Sequence, residues 1–225
     1  SDLFTVPTGN FGDIFAGYVA KRMGLPIGRL RIAANINDIL ARTLKTGIYE
    51  VREVHGTAAP SMDIQVSSNF ERLLFEASGR DSAVVRGLMA SLDQSRRFVL
   101  PDAVLANIRQ DFDAGRADET ETDAAIRAAW REAGDLVDPH TAVALAVADR
   151  DNSDTTTPNI VLSTAHAAKF PDAVQAACGV RPSLPAWLDG LMTREEHVRV
   201  MRNDQAEIER FVLSVSRAAK QGVAG

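Results

Sequence analysis

Residues 3–13, LFTVPTGNFGD, and the helical pattern IFAGYVAKRMG after them decide the fold. An apolar run stops at Pro7, two glycines follow with two residues between them, and an acid precedes the helical spacing. This order predicts a short buried strand, a tight turn and an α-helix. Glycines at such a junction let a ligand come close to the backbone, because they carry no Cβ.

The turn formed by residues 9–13 is a candidate anion cradle. A helix start has backbone N–H groups without helical partners and the positive end of the helix dipole, so a phosphate accepts several hydrogen bonds there. The turn is not a nucleotide P-loop, because no Gly-Lys-Ser/Thr follows it. It is not the dinucleotide-binding fingerprint either, because the third glycine of that motif is missing. The spacing alone fits a ligand-free turn equally well. We expect the Asp13 carboxylate to point away from an anion or to cap the helix.

Apolar runs bounded by turn residues predict further strands and helices. The predicted strands are 3–6, 29–35 and 160–163, and the predicted helices are 14–23, 38–47, 81–130 and 139–150, with another after residue 164. Residues 113–125 are expected to include a solvated turn and a helix start. The alternation favours a parallel sheet covered by helices.

Several polar residues stand where helices are expected to begin. Asn35, Asn37 or Asp38 is expected to cap the helix at 38–47, with a position facing a cleft as the alternative. Residues 68–71 and 193–196 have capping-box patterns. The second box predicts a long amphipathic helix that reaches Lys220.

Composition restricts the class of protein. The chain has 225 residues, 45% of them apolar, which is enough for a sizeable core. The net charge is −5, and acidic and basic residues are mixed along the chain. This gives no electrostatic reason to expect nucleic acid or an anionic membrane as a partner. Cys178 is the only cysteine, so neither an internal disulfide nor a cysteine zinc cluster can form. We expect a cytoplasmic protein without a signal peptide, membrane span or metal site.

Four stretches together carry a resemblance to a known family. They are VPTGNFGDIFAGYVAKRMGLPI (6–27), AANINDIL (33–40), SMDIQVSSNFERLLFE (61–76) and STAHAAKF (163–170). In this order they resemble segments of threonine synthase, a pyridoxal-phosphate enzyme of the tryptophan-synthase-β-like fold (fold type II). Ala167 stands where the family usually has proline, which is expected to loosen the turn and leave Thr164 in place.

The resemblance implies an α/β fold of the tryptophan-synthase-β-like type, present in part, with a parallel sheet covered by helices and additional helices. Residues 1–225 are expected to be the C-terminal portion of a larger enzyme. That portion would contain most of the large cofactor-binding domain and a C-terminal helical segment, and the N-terminal part would be absent.

The resemblance also implies a cofactor, pyridoxal 5'-phosphate, and residues that bind it. The positions that match those at the cofactor phosphate are Gly9, Asn10, Phe11 and Asp13. Gly12 lies in the same turn and joins them on physical grounds.

Thr164 matches the hydroxyl that meets the pyridine nitrogen of the cofactor. A neutral hydroxyl does not hold that nitrogen protonated as a carboxylate would, which suits chemistry at the β and γ carbons of the substrate. The alternative role of Thr164 is the N-cap of the helix that follows the strand at 160–163.

An enzyme of this kind needs a lysine that forms a Schiff base with the cofactor. The lysines here are Lys21, Lys45, Lys169 and Lys220. The family's Schiff-base lysine lies upstream of the glycine turn, so we assign no catalytic residue in this chain and expect the isolated chain to be inactive.

Other polar residues have both a functional and a structural interpretation. His140 and His166 are acid–base candidates or helix-start histidines bonded to backbone. Arg72, with Asn69, is a candidate for the substrate phosphate or an ordinary surface pair. Cys178 is interpreted as a small buried residue.

The resemblance implies that the whole protein, with its N-terminal part, converts O-phospho-L-homoserine and water to L-threonine and phosphate. The missing lysine leaves open a non-catalytic phosphate-binding or structural module. Another fold type II lyase, such as threonine dehydratase, is a further alternative. The stretch SMDIQVSSNFERL favours threonine synthase.

Overall fold

The computed structural model describes residues 2–150 and 156–218. These residues divide into two compact units between Ser183 and Leu184. None of the described helices combines the length and apolar character needed to cross a membrane. The expected assignment of 1–225 to a cofactor-binding domain with a helical segment stays a prediction.

The first unit alternates strands and helices. Its strands are β1 (Asp2–Pro7), β2 (Ile27–Ala34), β3 (Ile48–Glu50), β4 (Arg97–Val99), β5 (Phe112–Arg116) and β6 (Asn159–Val161). Its helices are α1 (Gly12–Arg22), α2 (Ile39–Thr46), α3 (Phe70–Ala77), α4 (Ser82–Ser95), α5 (Asp102–Asp111), α6 (Glu119–Ala133), α7 (Pro139–Asp149) and α8 (Pro171–Cys178). Short 3-10 helices occupy Pro60–Met62 and Ala167–Lys169.

A parallel sheet in the order β5-β2-β1-β6 forms the centre of this unit. Helices pack against it, and β3 and β4 pair separately as an antiparallel ribbon. This confirms the predicted α/β class with a parallel sheet covered by helices. The carboxyl ends of parallel strands meet at one edge, where ligands bind in open α/β sheets. The turn after β1 and the segment after β6 therefore emerge side by side.

Helix α7 is buried, as its apolar sequence predicts. Ala142, Val143 and Ala144 are fully buried within it. An amphipathic helix would leave one face in water, whereas α7 is apolar on nearly all sides and lies under the sheet.

Two strands, β4 and β5, lie where helical spacing was predicted. β5 reads FDAGR, a polar sequence with no strand pattern. A Cβ added at Gly115 would lie 2.6 Å from a methyl group of Val147 on α7, so glycine is what lets helix and strand approach. This contact is long-range, and local spacing cannot show it. The predicted helix start beyond this strand is confirmed, because Asp118 and Glu121 form a capping box on α6.

The second unit contains an α-helix at Gln205–Val215. The capping box predicted at 193–196 is wrong. The helix begins later, where the Asp204 side chain accepts a hydrogen bond from the backbone N–H of Glu207 at 2.9 Å. The predicted long helix is also wrong in its extent, because it ends at Val215, where Ser216 has an extended backbone. Lys220 itself lies outside the described residues.

Candidate functional site

A cavity of about 290 Å³ opens at the carboxyl ends of β1 and β6. It is lined by residues 7–14, Ser61, Met62, His140, Thr164, Ala165, Lys169 and Phe170. The structure thus brings together all the predicted cofactor residues, Gly9, Asn10, Phe11, Gly12, Asp13 and Thr164.

A larger cleft of about 670 Å³ lies between α2 and β5 and does not include the glycine turn. Its arginine side chains are already engaged. Arg42 and Arg116 pair with Asp38, and Arg109 donates to the Leu44 carbonyl oxygen at 2.8 Å. We therefore place the candidate site in the smaller cavity, where the backbone offers free donors.

Phe11 holds the glycine turn in an unusual conformation. Its φ of 65° is left-handed, a region that costs a non-glycine residue about 1–3 kcal/mol. The ring is only 1% exposed and packs against Phe70 and Phe112, with centroids 5.4 and 5.7 Å away. Because the ring is buried in the core, Phe11 can offer a ligand only its backbone.

Helix α1 starts at this turn without a side-chain cap. Its first N–H groups, those of Gly12, Asp13 and Ile14, have no carbonyl partner within the helix. A Cβ added at Gly12 would meet only the Asn69 amide nitrogen, at 3.7 Å, so the space beside these donors is open. Asp13 is exposed and does not cap the helix, so the capping role considered for it is wrong.

Gly9 is required by a close approach of protein to protein. A Cβ there would lie 2.5 Å from the Ser61 carbonyl oxygen and 3.2 Å from the Met62 Cα. The two predicted glycines therefore differ, since Gly9 admits the 3-10 helix at Pro60–Met62 and Gly12 leaves room for a ligand.

Residues 67–69, which we name the serine clamp, hold the turn from the other side. Ser67 Oγ donates to the Gly9 carbonyl oxygen at 2.9 Å. The Ser68 N–H and hydroxyl both donate to Asn10 Oδ1 at 2.8 Å. Asn69 Nδ2 donates to the Asn10 carbonyl oxygen at 2.8 Å. Asn10 is thus a fixed part of the turn.

The predicted capping box at 68–71 is wrong for the same reason. Asn69 occupies the N-cap position of α3 but makes no side-chain cap bond, because its amide is committed to the glycine turn. Its oxygen accepts from Arg72 at 2.7 Å, and Arg72 does not line the cavity. Arg72 therefore fits the interpretation as an ordinary surface pair with Asn69 and not the one as a ligand of the substrate phosphate.

Asn35 and Asn37 do not cap α2. Asp38 occupies the N-cap position, but its side chain makes no cap bond. Both amides donate to Asp63 Oδ1, at 2.7 and 3.1 Å. Asp63 also accepts from the Thr57 N–H and hydroxyl. This partly buried network anchors the loop that carries Ser61 and Met62 to Gly9.

Thr164 lies exposed on the cavity wall, in the segment after β6. The capping alternative is wrong, because the following 3-10 helix is capped by His166, whose Nδ1 accepts from the Ala168 N–H at 3.1 Å. His166 does not line the cavity, so its acid–base role finds no support. Within residues 2–150 and 156–218, no hydrogen bond occupies the Thr164 hydroxyl.

His140 is buried beside the cavity and paired with Asp138, which the sequence analysis missed. His140 Nδ1 lies 2.7 Å from Asp138 Oδ2, and its Nε2 accepts from the Ser61 N–H at 3.3 Å. Burial opposes ionisation of Asp138, but hydrogen bonds from the His140 ring, the Thr141 hydroxyl and the His140 N–H outweigh it and hold its pKa below the usual value. The predicted backbone-bonded histidine is confirmed in part, since one ring nitrogen binds backbone and the other binds a carboxylate.

Comparison with known proteins identifies the family. Residues 141–212 match the family model described as threonine synthase, C-terminal. The chain is 43% identical to the threonine synthase of Pseudomonas aeruginosa over 93% of its own length and 45% of that protein.

The chain belongs to the threonine synthase family.

Solved threonine synthases have the same fold. The structure from Brucella melitensis, described as PLP bound, has a TM-score of 0.87 and 58% identity over 96% of this chain and 47% of that one. The yeast threonine synthase has a TM-score of 0.83 and 36% identity over 94% of this chain and 46% of that one. The resemblance seen in the sequence is confirmed. The chain matches the C-terminal portion and spans about half the length of the relatives.

Proposed function

We propose that this chain supplies the phosphate cradle of a pyridoxal-phosphate-dependent threonine synthase. The whole enzyme converts O-phospho-L-homoserine and water to L-threonine and phosphate. The observation that carries the proposal is the glycine turn, where an uncapped helix start adjoins a residue held at φ 65° and open space remains at Gly12. The family match and the PLP-bound relative support the choice of cofactor.

The turn fits a phosphate group. The backbone N–H groups of Gly12 and Asp13 would hold it, and they are fixed in place before any ligand arrives. Phe11 contributes only its backbone, while Asn10 keeps the turn in shape through the serine clamp. Lys169 adds a cation to the cavity lining. A Cβ at Gly12 would occupy the space that the phosphate needs.

Thr164 is proposed as the partner of the pyridine nitrogen. Thr164 lines the same cavity as the glycine turn, and its hydroxyl has no hydrogen-bond partner among the described residues. When bound, the cofactor withdraws electrons from the substrate carbons. The neutral hydroxyl orients the ring by one hydrogen bond without adding a negative charge beside the nitrogen.

The attachment lysine is proposed to come from outside these residues. Lys21 binds Asp111 at 2.7 Å and the Gly28 carbonyl oxygen at 2.6 Å, and it does not line the cavity. Lys45 lines the larger cleft instead. Lys169 lines the cavity but lies in the wall after β6, and the resemblance assigns the attachment point to a segment before the glycine turn. We therefore expect the isolated chain to be inactive.

The remaining proposals follow from the same family match. The partners are the small-molecule substrate O-phospho-L-homoserine and the rest of the same enzyme, which the relatives contain. A cytoplasmic location suits an enzyme of amino-acid biosynthesis and stays a prediction.

Turnover by the full-length protein tests the function. With pyridoxal phosphate and O-phospho-L-homoserine, it should release phosphate and form L-threonine in equal amounts. A dehydratase would instead make 2-oxobutanoate from L-threonine, and a non-catalytic module would bind the cofactor without turnover. Either result would contradict the proposal.

Chemical trapping tests the origin of the lysine. Borohydride reduction of the loaded full-length protein, followed by peptide mass spectrometry, should place the cofactor on a lysine outside these 225 residues. Attachment at Lys169 would show that the chain contains its own lysine.

A further inference from the structure

We propose that Asp138 and His140 form a positioning pair that holds Ser61 and Met62 against Gly9, and thereby sets the affinity of the glycine turn for a phosphate group. The inference rests on the proposed function, because the phosphate concerned is that of the cofactor.

The pair fixes the tautomer of the His140 ring. Asp138 is fully buried and its carboxylate lies 2.7 Å from Nδ1, so Nδ1 carries the proton and donates it. Nε2 is left as an acceptor and receives the Ser61 N–H at 3.3 Å. A carboxylate that accepts from a ring nitrogen is the usual device for fixing which nitrogen keeps its lone pair.

Ser61 passes this restraint to the cradle. Its carbonyl oxygen and the adjacent Met62 lie so close to Gly9 that a Cβ would be 2.5 Å and 3.2 Å away. The other end of the loop is anchored by Asp63, through Asn35 and Asn37. His140 binds the middle of this loop at Ser61, so loss of its acceptor removes the restraint on the Ser61 N–H.

His140 also contacts the opposite side of the cavity. Its ring lies 4.8 Å from the ring of Phe170, which follows Lys169. The ring is 5% exposed and lines the cavity, so it touches both walls from within the protein. A histidine that served only to cap α7 would need neither contact, because Asp138 already accepts from the His140 and Thr141 N–H groups.

Two amide variants separate the functions of the two ring nitrogens. His140→Gln places an amide oxygen near Nε2 and keeps an acceptor for Ser61. His140→Asn places an amide nitrogen near Nδ1 and keeps a donor for Asp138, but it has no group that reaches Ser61. The two changes are otherwise alike in polarity and in the loss of the aromatic ring.

The full-length protein should be titrated with pyridoxal phosphate, with pyridoxal, which lacks the phosphate, and with inorganic phosphate as a competitor. His140→Asn should bind pyridoxal phosphate about three- to tenfold more weakly than the natural protein, the value of one ordinary hydrogen bond. His140→Gln should bind it within about twofold of the natural protein. Pyridoxal should bind all the proteins alike.

Equal losses in both variants, or equal losses for pyridoxal and pyridoxal phosphate, would overturn the inference. ¹⁵N NMR of labelled histidines gives a test that needs no variant, because His140 should show a protonated Nδ1 and an accepting Nε2. A protonated Nε2 would also overturn it. Failure of the proposed function looks different, since the natural protein would then bind neither pyridoxal phosphate nor phosphate at the turn.

Discussion

The two walls of the cavity are constructed in different ways. The glycine turn is fixed by the serine clamp on one side and by Ser61 and Met62 on the other, and its donors are backbone groups. The wall after β6 is exposed, and its chemistry lies in the side chains of Thr164 and Lys169. Under the proposed function, one wall would recognise the cofactor by a shape that is set in advance, and the other by functional groups on a more open segment.

This difference predicts two kinds of mutational effect. A substitution in the glycine turn should act through geometry, so even a methyl group should matter. A substitution at Thr164 should act through the hydroxyl, so a change that keeps the shape should still be harmful.

The largest effect is expected for Gly9→Ala. The backbone of Gly9 is not left-handed, so alanine is disfavoured by its contacts with the backbone of Ser61 and Met62 and not by its own φ. Overpacking of this kind costs about 1–3 kcal/mol of stability. Because the turn must shift, affinity for pyridoxal phosphate should fall about a hundredfold or more. Thermal unfolding and cofactor titration of the full-length protein measure both, and unchanged values would show that the turn is not held rigidly.

Gly12→Val alters the other glycine of the turn, and its effect on cofactor affinity should be the second largest. A Cβ at Gly12 meets only open space and one amide nitrogen at 3.7 Å, so stability without cofactor should change by less than about 0.5 kcal/mol. Affinity for pyridoxal phosphate should fall about ten- to a hundredfold, because charge-assisted hydrogen bonds to the phosphate are lost. Pyridoxal binding is the control. If Gly12→Val binds pyridoxal phosphate normally, the turn is structural only.

Thr164→Val tests the open wall and should have a smaller effect. Valine keeps the shape but leaves the pyridine nitrogen unpaired, so turnover should fall about tenfold and the visible spectrum of the cofactor should shift. Thr164→Ser keeps the hydroxyl and should retain most of the activity. Stability should hardly change in either variant, because Thr164 is exposed and caps no helix. Natural turnover and an unchanged spectrum in the Val variant would show that the Thr164 hydroxyl does not bind the cofactor.

The smallest effect is a pH dependence of stability that comes from Asp138. Its pKa is lowered by hydrogen bonds that overcome the effect of burial. The contribution of Asp138 to the free energy of unfolding is therefore complete above the ordinary pKa of 3.8 and is lost as the pH falls below that value. The unfolding temperature of Asp138→Asn should therefore approach that of the natural protein as the pH falls towards 3 (about one unit below that value). A constant difference across this pH range would contradict the assignment.

Local patterns predicted the elements whose apolar residues form continuous runs or a helical spacing. β1, β2 and α7 follow from apolar runs, α1 follows from helical spacing, and the glycine turn follows from its two glycines. β5 could not be predicted, because its polar sequence becomes a strand only by pairing with β2 and packing under Val147.

The polar residues were harder to assign than the apolar ones. Asn69 and Asn35 both had the local pattern of helix caps, but their amides bind groups far away in the sequence. Asp138 stands two residues before His140, which is the one local signal that could have revealed the pair. Side-chain hydrogen bonds at long range have no periodicity, so the sequence shows the residues of the site and not their connections.

The burial of the Phe11 ring has a consequence for engineering. The strained φ of this residue is maintained by ring packing against Phe70 and Phe112, neither of which lines the cavity. Repacking that aromatic cluster to raise thermal tolerance would also relax the loop conformation at the cavity. Improvements in heat resistance at these positions should therefore be accompanied by weaker cofactor retention, and a stabilisation programme would do better to change helices α4 and α6 and leave the cluster intact.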